Sequence, residues 1–179
     1  MEDLVTPIAF KPDPAAHKVY VIVDLDGTLC NSAHRDHLAV AKEWDEFHSL
    51  LHADIPHHDV ALLLSYLNKQ LWPFMDLEVV ALTGRNEKYR LMTEQWMLAN
   101  DVSVDHLLMR PDHDWRSDHE LKPQLLFEFV GNQSADAPVE SVHELAKSQV
   151  WFILEDRDKV VEAWRNLGFR CWQTQPGGY

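Results

Sequence analysis

The fold is decided by residues 19–28, which read VYVIVDLDGT. The first five residues form an unbroken apolar run rich in β-branched side chains, a pattern typical of a strand buried on both faces of a parallel sheet. Asp24 and Asp26 follow this run, and Gly27 lets the chain turn there because it has no Cβ atom. The stretch therefore predicts a central strand that ends in two acidic side chains.

Four later segments have the same apolar character: residues 79–82, 106–109, 150–154 and 169–172. Segments with helical patterns lie between them. Strands that alternate with helices predict a doubly wound α/β domain, in which helices cover both faces of a parallel sheet. Ligands of such folds bind at the carboxyl ends of the strands, so the chemically useful residues should lie where the apolar runs end.

Apolar side chains repeat at helical spacing between the predicted strands. One such stripe runs from Val60 to Leu71, a second from Tyr89 to Ala99, and a third from Val160 to Leu167. Pro123 is predicted to lie in the first turn of a further helix, where proline is well tolerated. Residues 131–138 are predicted to form a loop.

The composition indicates one soluble globular domain over residues 1–179, with 46% apolar and 25% charged residues. The formal charge of −13 argues against an extended nucleic-acid duplex as partner, since duplex binding needs a basic surface. No run approaches the length of a membrane span, and the first 18 residues lack the apolar core of a signal peptide. Two cysteines cannot build a disulfide framework, so we expect a cytoplasmic protein that does not contact a membrane.

Polar and charged residues follow the predicted strands at the expected edge. They are Asp24 and Asp26 after the first strand, Thr83, Gly84 and Arg85 after the second, Lys122 beyond the third, and Glu155, Asp156 and Arg157 after the fourth. The sequence therefore predicts that carboxylates, a hydroxyl group and an ammonium group meet at one edge of the sheet.

This set of residues suits phosphoryl transfer. A phosphate and a carboxylate nucleophile repel each other unless cations lie between them, and Mg²⁺ prefers carboxylate and phosphate oxygens. Asp24 and Asp156 can supply two ligands, with Glu155 as a possible third, and Lys122 can neutralise phosphate oxygens. Asp26, two residues after Asp24, is the candidate for a second acid that protonates the leaving oxygen.

The four groups together resemble the motifs of the haloacid dehalogenase-like hydrolase superfamily. Residues 24–28 match its first motif, residues 83–85 its second, Lys122 its third, and residues 155–156 its fourth. The order and spacing match over nearly the whole chain, from residue 19 to about residue 173. The resemblance implies the Rossmann-like core of that superfamily and a Mg²⁺-dependent phosphatase.

By this resemblance each matching residue has an implied role. Asp24 attacks phosphorus and forms an aspartyl-phosphate, and Asp26 acts as general acid and then as base. The metal ligands are then Asp24, the backbone carbonyl of Asp26, and Asp156, with Glu155 close by; the superfamily often has Asp where Glu155 stands. The implied catalytic residues also include Thr83 and Lys122, and the Gly84 amide is implied to bind substrate phosphate. Arg85 is a further candidate substrate-binding residue, because arginine can bind phosphate through two hydrogen bonds.

A closer resemblance is to the 3'-phosphatase domain of bacteriophage-type polynucleotide kinase-phosphatases. It is carried by residues 109–122, which begin Met-Arg-Pro and end at Lys122, by residues 155–165, and by the end of the chain at residues 168–179. The kinase half of those proteins needs a GxxxxGK[ST] phosphate-binding loop, and no such loop occurs in this sequence. The resemblance is therefore to the phosphatase half alone.

Residues 33–76 separate the first two motifs and have a helical pattern, with apolar side chains on one face (Leu38, Ala41, Trp44, Phe47, Leu51). We expect a small helical cap over the site, as the superfamily often has at this position, or else ordinary covering helices. His34 and Arg35 follow the first motif and are candidates to line the substrate pocket. Arg110 and Arg157 are further candidate phosphate anchors, and the alternative for them and for Arg85 is a salt bridge to one of the nearby acids.

The sequence leaves the substrate open. The closer resemblance favours the 3'-phosphate ends of nucleic acid or 3'-nucleotides, whereas the acidic charge favours small nucleotides over polymers. A nucleoside 5'-monophosphatase or another small-molecule phosphatase is an alternative. A non-catalytic phosphate- or nucleotide-binding partner subunit is the alternative from a different class. The oligomeric state is not predicted.

Overall fold

A computed structural model describes residues 18–71, 76–134 and 141–177. In chain order the strands are β1 (Val19–Val23), β2 (Cys30–Asn31), β3 (Ile55–Pro56), β4 (Leu77–Asn86), β5 (His106–Arg110), β6 (Val150–Arg157) and β7 (Cys171–Gly177). The helices are α1 (Asp36–Ala41), α2 (Trp44–Ser49), α3 (His58–Leu71), α4 (Arg90–Ala99), α5 (Asp118–Gln133), α6 (Val142–Gln149) and α7 (Asp158–Asn166). Five strands form one parallel sheet in the order β5-β4-β1-β6-β7, with β1 at its centre.

Helices cover both faces of this sheet. Successive side chains of a strand point to opposite faces, and the buried side chains of β1 are apolar on both. Tyr20 and Ile22 of β1 pack with α5, α6 and α7 on one face, where Trp164 is fully buried. Val21 and Val23 pack with α3 on the other face. The predicted doubly wound α/β fold is confirmed. No helix within the three described ranges is both long and apolar enough to cross a membrane.

Two strands continue beyond their predicted ends. The strand predicted over residues 79–82 runs to Asn86, and the one predicted over 150–154 runs to Arg157. Both extensions pair with a neighbouring strand after a shift in register. The residues of the second and fourth motifs therefore lie on strands, which fixes their backbone positions.

The prediction that Pro123 opens a helix is wrong. Helix α5 begins five residues earlier, because Ser117 caps it and forms a capping box with Glu120. Pro123 is therefore inside the helix. Residues 131–133 of the predicted loop belong to α5, and residues 135–140 lie outside the described residues.

The part of the insertion that precedes α3 consists of short elements. Lys42 has a left-handed backbone (φ 62°) and separates α1 from α2. The break leaves Leu38 and Phe47 buried against each other, whereas Trp44 is 42% exposed. Strands β2 and β3 pair at the base of the insertion. The predicted arm up to about residue 16 and residues 72–75 lie outside the described residues.

Candidate active site

Four of the predicted site residues meet at the carboxyl edge of the sheet. Asp24 follows β1, Glu155 and Asp156 end β6, and Lys122 lies in the second turn of α5. The ammonium group of Lys122 donates hydrogen bonds to Asp24 Oδ1 and to Glu155 Oε2, each at 2.6 Å. One carboxylate oxygen from each of the three acids lies within 4.8 Å of the others.

The acids of this cluster repel one another in a buried setting. Burial raises the pKa of Asp24 to about 7, and the negative charge of Glu155 adds to the effect. Burial and the charge of Asp24 raise the pKa of Asp156 to about 6. Burial also raises the pKa of Glu155. Burial opposes the charged form of Lys122, but Asp24 and Glu155 outweigh it and raise the pKa of this lysine. One ammonium group thus faces three carboxylates, and the cluster favours a further cation.

The donor set of this cluster fits Mg²⁺. Carboxylate oxygens are the ligands that this hard cation prefers, and the cluster offers one oxygen from each of Asp24, Glu155 and Asp156 at close range. No histidine or cysteine belongs to it, so the softer ligands typical of zinc sites are missing from this group.

Asp156 is held between two glycines and the end of β7. A Cβ atom at Gly27, whose φ is +89°, would lie 2.2 Å from Asp156 Oδ2, and one at Gly177 would lie 2.5 Å from it. The side-chain amide of Gln173 donates to the Asp156 carbonyl at 2.8 Å, and that of Gln175 donates to the Gly27 carbonyl at 2.7 Å. The last strand therefore helps to position the acid.

Asp26 belongs to a second buried cluster. Arg85 donates to both carboxylate oxygens of Asp26 through Nε, at 3.1 and 3.0 Å, and through Nη2 at 2.6 Å. Arg35 also donates to Asp26 Oδ1. Both arginines are paired with Asp54, which follows α2 in the insertion; Arg85 Nη2 lies 2.8 Å from Asp54 Oδ2 and Arg35 Nε 2.7 Å from Asp54 Oδ1.

This pairing keeps Asp26 charged. Burial alone would raise the pKa of Asp26, but the guanidinium groups of Arg85 and Arg35 outweigh it and hold the pKa well below its usual range. The predicted phosphate anchor Arg85 is fully buried and is committed to two acids. Its Nη1 atom is nevertheless a buried donor with no hydrogen-bond partner among the described residues, and Arg85 lines the cleft described below.

The second motif lies beside Asp118, the first residue of α5. A Cβ atom at Gly84 would lie 2.6 Å from both Asp118 oxygens, so only glycine allows this approach. Arg110 and Arg157 both donate a hydrogen bond to the Asp118 carboxylate. Burial would raise the pKa of Asp118, but the positive charges of Arg157 and Lys122 outweigh this effect and lower the pKa. These two arginines thus contact an acid. Thr83 is fully buried, and its hydroxyl accepts a hydrogen bond from the Arg85 amide at 3.2 Å.

A cleft of about 950 Å³ opens above these clusters. Asp26, Gly84, Arg85 and Asp118 line it, together with residues of α2 and of the segment before α5. Asp24, Thr83, Lys122, Glu155 and Asp156 are buried and do not line it. The cleft is therefore lined by the cluster around Asp26 and by Gly84, and not by the cluster around Lys122.

Sequence reasoning missed Asp54 and Asp118. Asp54 is an isolated acid in the insertion, and no spacing relative to another motif indicates its pairing with two arginines. Asp118 had a detectable signal, since it precedes Lys122 by four residues and one helical turn brings both side chains to the same face.

Arg35 was predicted only as a pocket-lining residue, and it is fully buried against Asp26 and Asp54. His34 is placed nearby, with Nε2 at 3.8 Å from Asp54.

The sequence matches the model of one protein family, the polynucleotide kinase PNKP phosphatase domain, over residues 18–179. The match includes every residue of the two clusters.

Solved structures agree with this match. A chain in the structure of the Pnkp1/Rnl/Hen1 complex is 30% identical with a TM-score of 0.70, covering 93% of this chain and 49% of that one. A chain in the structure of the Pnkp1/Rnl/Hen1 RNA repair complex is 29% identical with a TM-score of 0.69, covering 93% and 45%. This chain thus spans about half the length of both. A haloacid dehalogenase-like hydrolase from Streptococcus pneumoniae shares the fold, with 13% identity, a TM-score of 0.55, and coverage of 87% and 84%.

Proposed function

The chain belongs to the polynucleotide kinase PNKP phosphatase domain family, and from this premise we propose that it removes phosphate from the 3'-phosphate ends of nucleic acid. The predicted resemblance to haloacid dehalogenase-like hydrolases is confirmed, and the chain is a phosphatase. The similarity to a chain of an RNA repair complex supports a nucleic-acid end as the substrate.

The observation that carries the proposal is the contact of Lys122 with Asp24 and Glu155 beside Asp156. Asp24 is the nucleophile: one carboxylate oxygen forms a bond to phosphorus, and the bond from phosphorus to the 3'-oxygen breaks. Lys122 fixes the orientation of the Asp24 carboxylate and offsets the negative charge that the phosphate brings. Water then attacks the aspartyl-phosphate, and inorganic phosphate leaves.

Asp24, Asp156 and the backbone carbonyl of Asp26 would hold Mg²⁺, with Glu155 next to them. When bound, the ion neutralises phosphate oxygens and reduces their repulsion from the carboxylate nucleophile. Asp156 is well suited to the role because Gly27 and Gly177, which have no Cβ atom, leave room for its carboxylate in the observed position.

Asp26 is the proton-transfer group of the proposal. Its pairing with Arg35 and Arg85 favours the charged form, which is the form that can take a proton from the attacking water. For the first step Asp26 must carry a proton and donate it to the 3'-oxygen. We infer that the protonated carboxyl group turns away from the two guanidinium groups, since a neutral acid has lost most of its attraction to them.

The phosphate is held by residues at the end of β4. Thr83 and the amide of Gly84 would bind phosphate oxygens, and Arg85 Nη1 is the donor that lacks a partner among the described residues. A buried donor without a partner is costly, and an incoming phosphate oxygen would satisfy it. This supports the predicted substrate-binding role of Arg85 alongside its contact with Asp26.

The insertion acts as a small cap on a chain that is otherwise one phosphatase domain. Only residues 42–48, which include most of α2, line the cleft, whereas α3 packs on the sheet. Asp45 of α2 accepts hydrogen bonds from Lys88 at 2.5 Å and from Tyr89 at 2.7 Å, and His48 stacks on Tyr89. These contacts connect the cap to the segment that follows the second motif.

A substrate panel tests the proposal. Phosphate release is measured with Mg²⁺ on matched oligonucleotides carrying a 3'- or a 5'-phosphate, on nucleoside 3'- and 5'-monophosphates, and on a generic aryl phosphate. The proposal predicts the highest kcat/KM on the 3'-phosphorylated oligonucleotide and loss of activity with a chelator. A preference for 5'-monophosphates would favour the nucleotidase alternative, and binding without turnover of any compound would indicate a non-catalytic binder.

A further inference from the structure

An exposed tryptophan lies at the outer part of the cleft. Trp115 is in the segment between β5 and α5, lines the cleft, and is 84% exposed. Tryptophan side chains are strongly buried on average, because their large apolar surface is costly to leave in water. The exposure of this side chain beside the candidate active site therefore calls for a reason other than core packing.

The backbone that carries this indole is held firmly. Arg110 Nη1 donates to the carbonyls on either side of Trp115, at 3.1 Å to Asp114 and 2.6 Å to Arg116. The same guanidinium donates through Nε to the Gly84 carbonyl at 3.0 Å. Arg110 thus ties the position of Trp115 to the second motif. An aromatic side chain on a fixed backbone loses little entropy when it stacks on a ligand.

The cleft has room for more than a phosphate group. Its volume of about 950 Å³ is at the upper end of the range for pockets that enclose organic ligands. The wall formed by α2 and by residues 87–89 is also aromatic, since His48 and Tyr89 stack there with ring centroids 4.5 Å apart. A flat aromatic group of the substrate would find aromatic surfaces in this cleft.

The charge of the cleft suits one end of a polyanion. Seven Lys or Arg and seven Asp or Glu residues line it, so its formal charge is balanced in a chain whose net charge is −13. A terminal nucleotide can enter such a region with little repulsion, whereas a long strand lying across the acidic surface would be repelled. The charge pattern therefore favours recognition of the last nucleotide over recognition of an extended strand.

We propose that Trp115 binds the nucleobase of the terminal nucleotide by stacking its indole on the face of the base. The inference rests on the proposed function and adds to it a contact that specifies a base-bearing 3'-phosphate. Stacking tolerates any base, because every base has a π-face, and Trp115 would therefore select for the presence of a base rather than its identity.

The test compares a 3'-phosphorylated trinucleotide with the same molecule whose terminal base is replaced by hydrogen. Trp115→Ala should raise KM for the base-bearing substrate about ten- to one-hundredfold, with little change in kcat, and leave KM for the abasic substrate unchanged. Trp115→Phe should restore most of the affinity. Trp172→Ala is the matched control, because Trp172 is 48% exposed and does not line the cleft. Equal changes on both substrates, or none, would overturn the proposal.

Binding separates this proposal from the proposed function. In an Asp24→Asn background, fluorescence anisotropy should show that Trp115→Ala weakens binding of the base-bearing trinucleotide and not of the abasic one. If the wild-type chain releases no phosphate from either substrate, the proposed function is wrong, and the binding difference alone decides the role of Trp115. Equal binding of both trinucleotides, or binding of neither, would overturn the stacking proposal.

Discussion

Lys122 Nζ lies 2.6 Å from Asp24 Oδ1, and both side chains are almost completely buried. A buried ion pair of this kind fixes the orientation of the carboxylate, because neither partner can turn to solvent without leaving the other uncompensated. Lys122 also contacts Glu155, so a single ammonium group connects the first, third and fourth motifs. The negative charge that remains on the three acids is the physical basis of the proposed Mg²⁺ site.

Replacing Asp156 should remove the response to Mg²⁺. Saturating Mg²⁺ should raise the Tm of the wild-type chain by about 5–10 °C, because an ion that binds only the folded state stabilises it. Asp156→Asn should lose most of this increase and should need far more Mg²⁺ for activity. Glu162→Gln is the control, since Glu162 is exposed on α7 and lies six residues further on. An undiminished Mg²⁺ shift in Asp156→Asn would place the ion elsewhere.

Adding a methyl group at Gly177 should also weaken Mg²⁺ binding. The new Cβ atom would lie 2.5 Å from Asp156 Oδ2 and 3.0 Å from its backbone carbonyl, so Asp156 must move. We expect Gly177→Ala to raise the Mg²⁺ concentration for half-maximal activity at least several-fold. Gly131→Ala serves as the control, because its nearest neighbour would be 3.6 Å away. Identical Mg²⁺ titrations of the two variants would show that β7 does not position Asp156.

Replacing Asp54 should impair both stability and catalysis. Asp54→Asn leaves Arg35 and Arg85 buried with only Asp26 as a charged partner, and breaking buried pairs costs about 3–5 kcal/mol. Urea unfolding should show this loss, and kcat should fall because the arginines no longer hold Asp26 in place. Asp59→Asn, at an exposed acid of α3, should change neither quantity. Full activity in a folded Asp54→Asn protein would argue against a positioning role.

Cutting the contact between α2 and the core tests the cap. Asp45→Ala removes the hydrogen bonds from Lys88 and Tyr89. Asp45 and Lys88 are exposed, and Tyr89 is half-buried. The stability of the chain should hardly change, because exposed ion pairs are screened by water. The ratio of kcat/KM for a 3'-phosphorylated oligonucleotide to that for a small aryl phosphate should fall. Deletion of residues 36–52 should lower the ratio further, and an unchanged ratio in both variants would argue against a selective cap.

The positions of Asp24, Lys122, Glu155 and Asp156 could be predicted from the sequence, because parallel strands bring the ends of apolar runs to one edge. The lengths of β4 and β6 could not, since their last residues are polar and extend only because a neighbouring strand pairs with them. The start of α5 was missed because Pro123 is typical of a first helical turn, although Ser117 and Glu120 already have the Ser-x-x-Glu spacing of a capping box in the sequence.

The cluster around Asp26 was the least predictable part of the site. Its partners Arg35, Asp54 and Arg85 are separated by 19 and 31 residues along the chain, and their pairing depends on how the insertion folds back over the first motif. An isolated acid such as Asp54 has no spacing that distinguishes it from the other acidic residues of the chain. Such contacts follow from tertiary packing and not from a local pattern.

The role of Asp24 as nucleophile can be tested by trapping phosphate on its side chain. The chain is mixed with a 3'-³²P-phosphorylated oligonucleotide and Mg²⁺, quenched in acid within milliseconds, and digested for peptide mapping. We expect label on the peptide that contains Asp24, release of this label by hydroxylamine, and neither label nor turnover in Asp24→Asn. Continued release of phosphate by a folded Asp24→Asn protein would contradict the account.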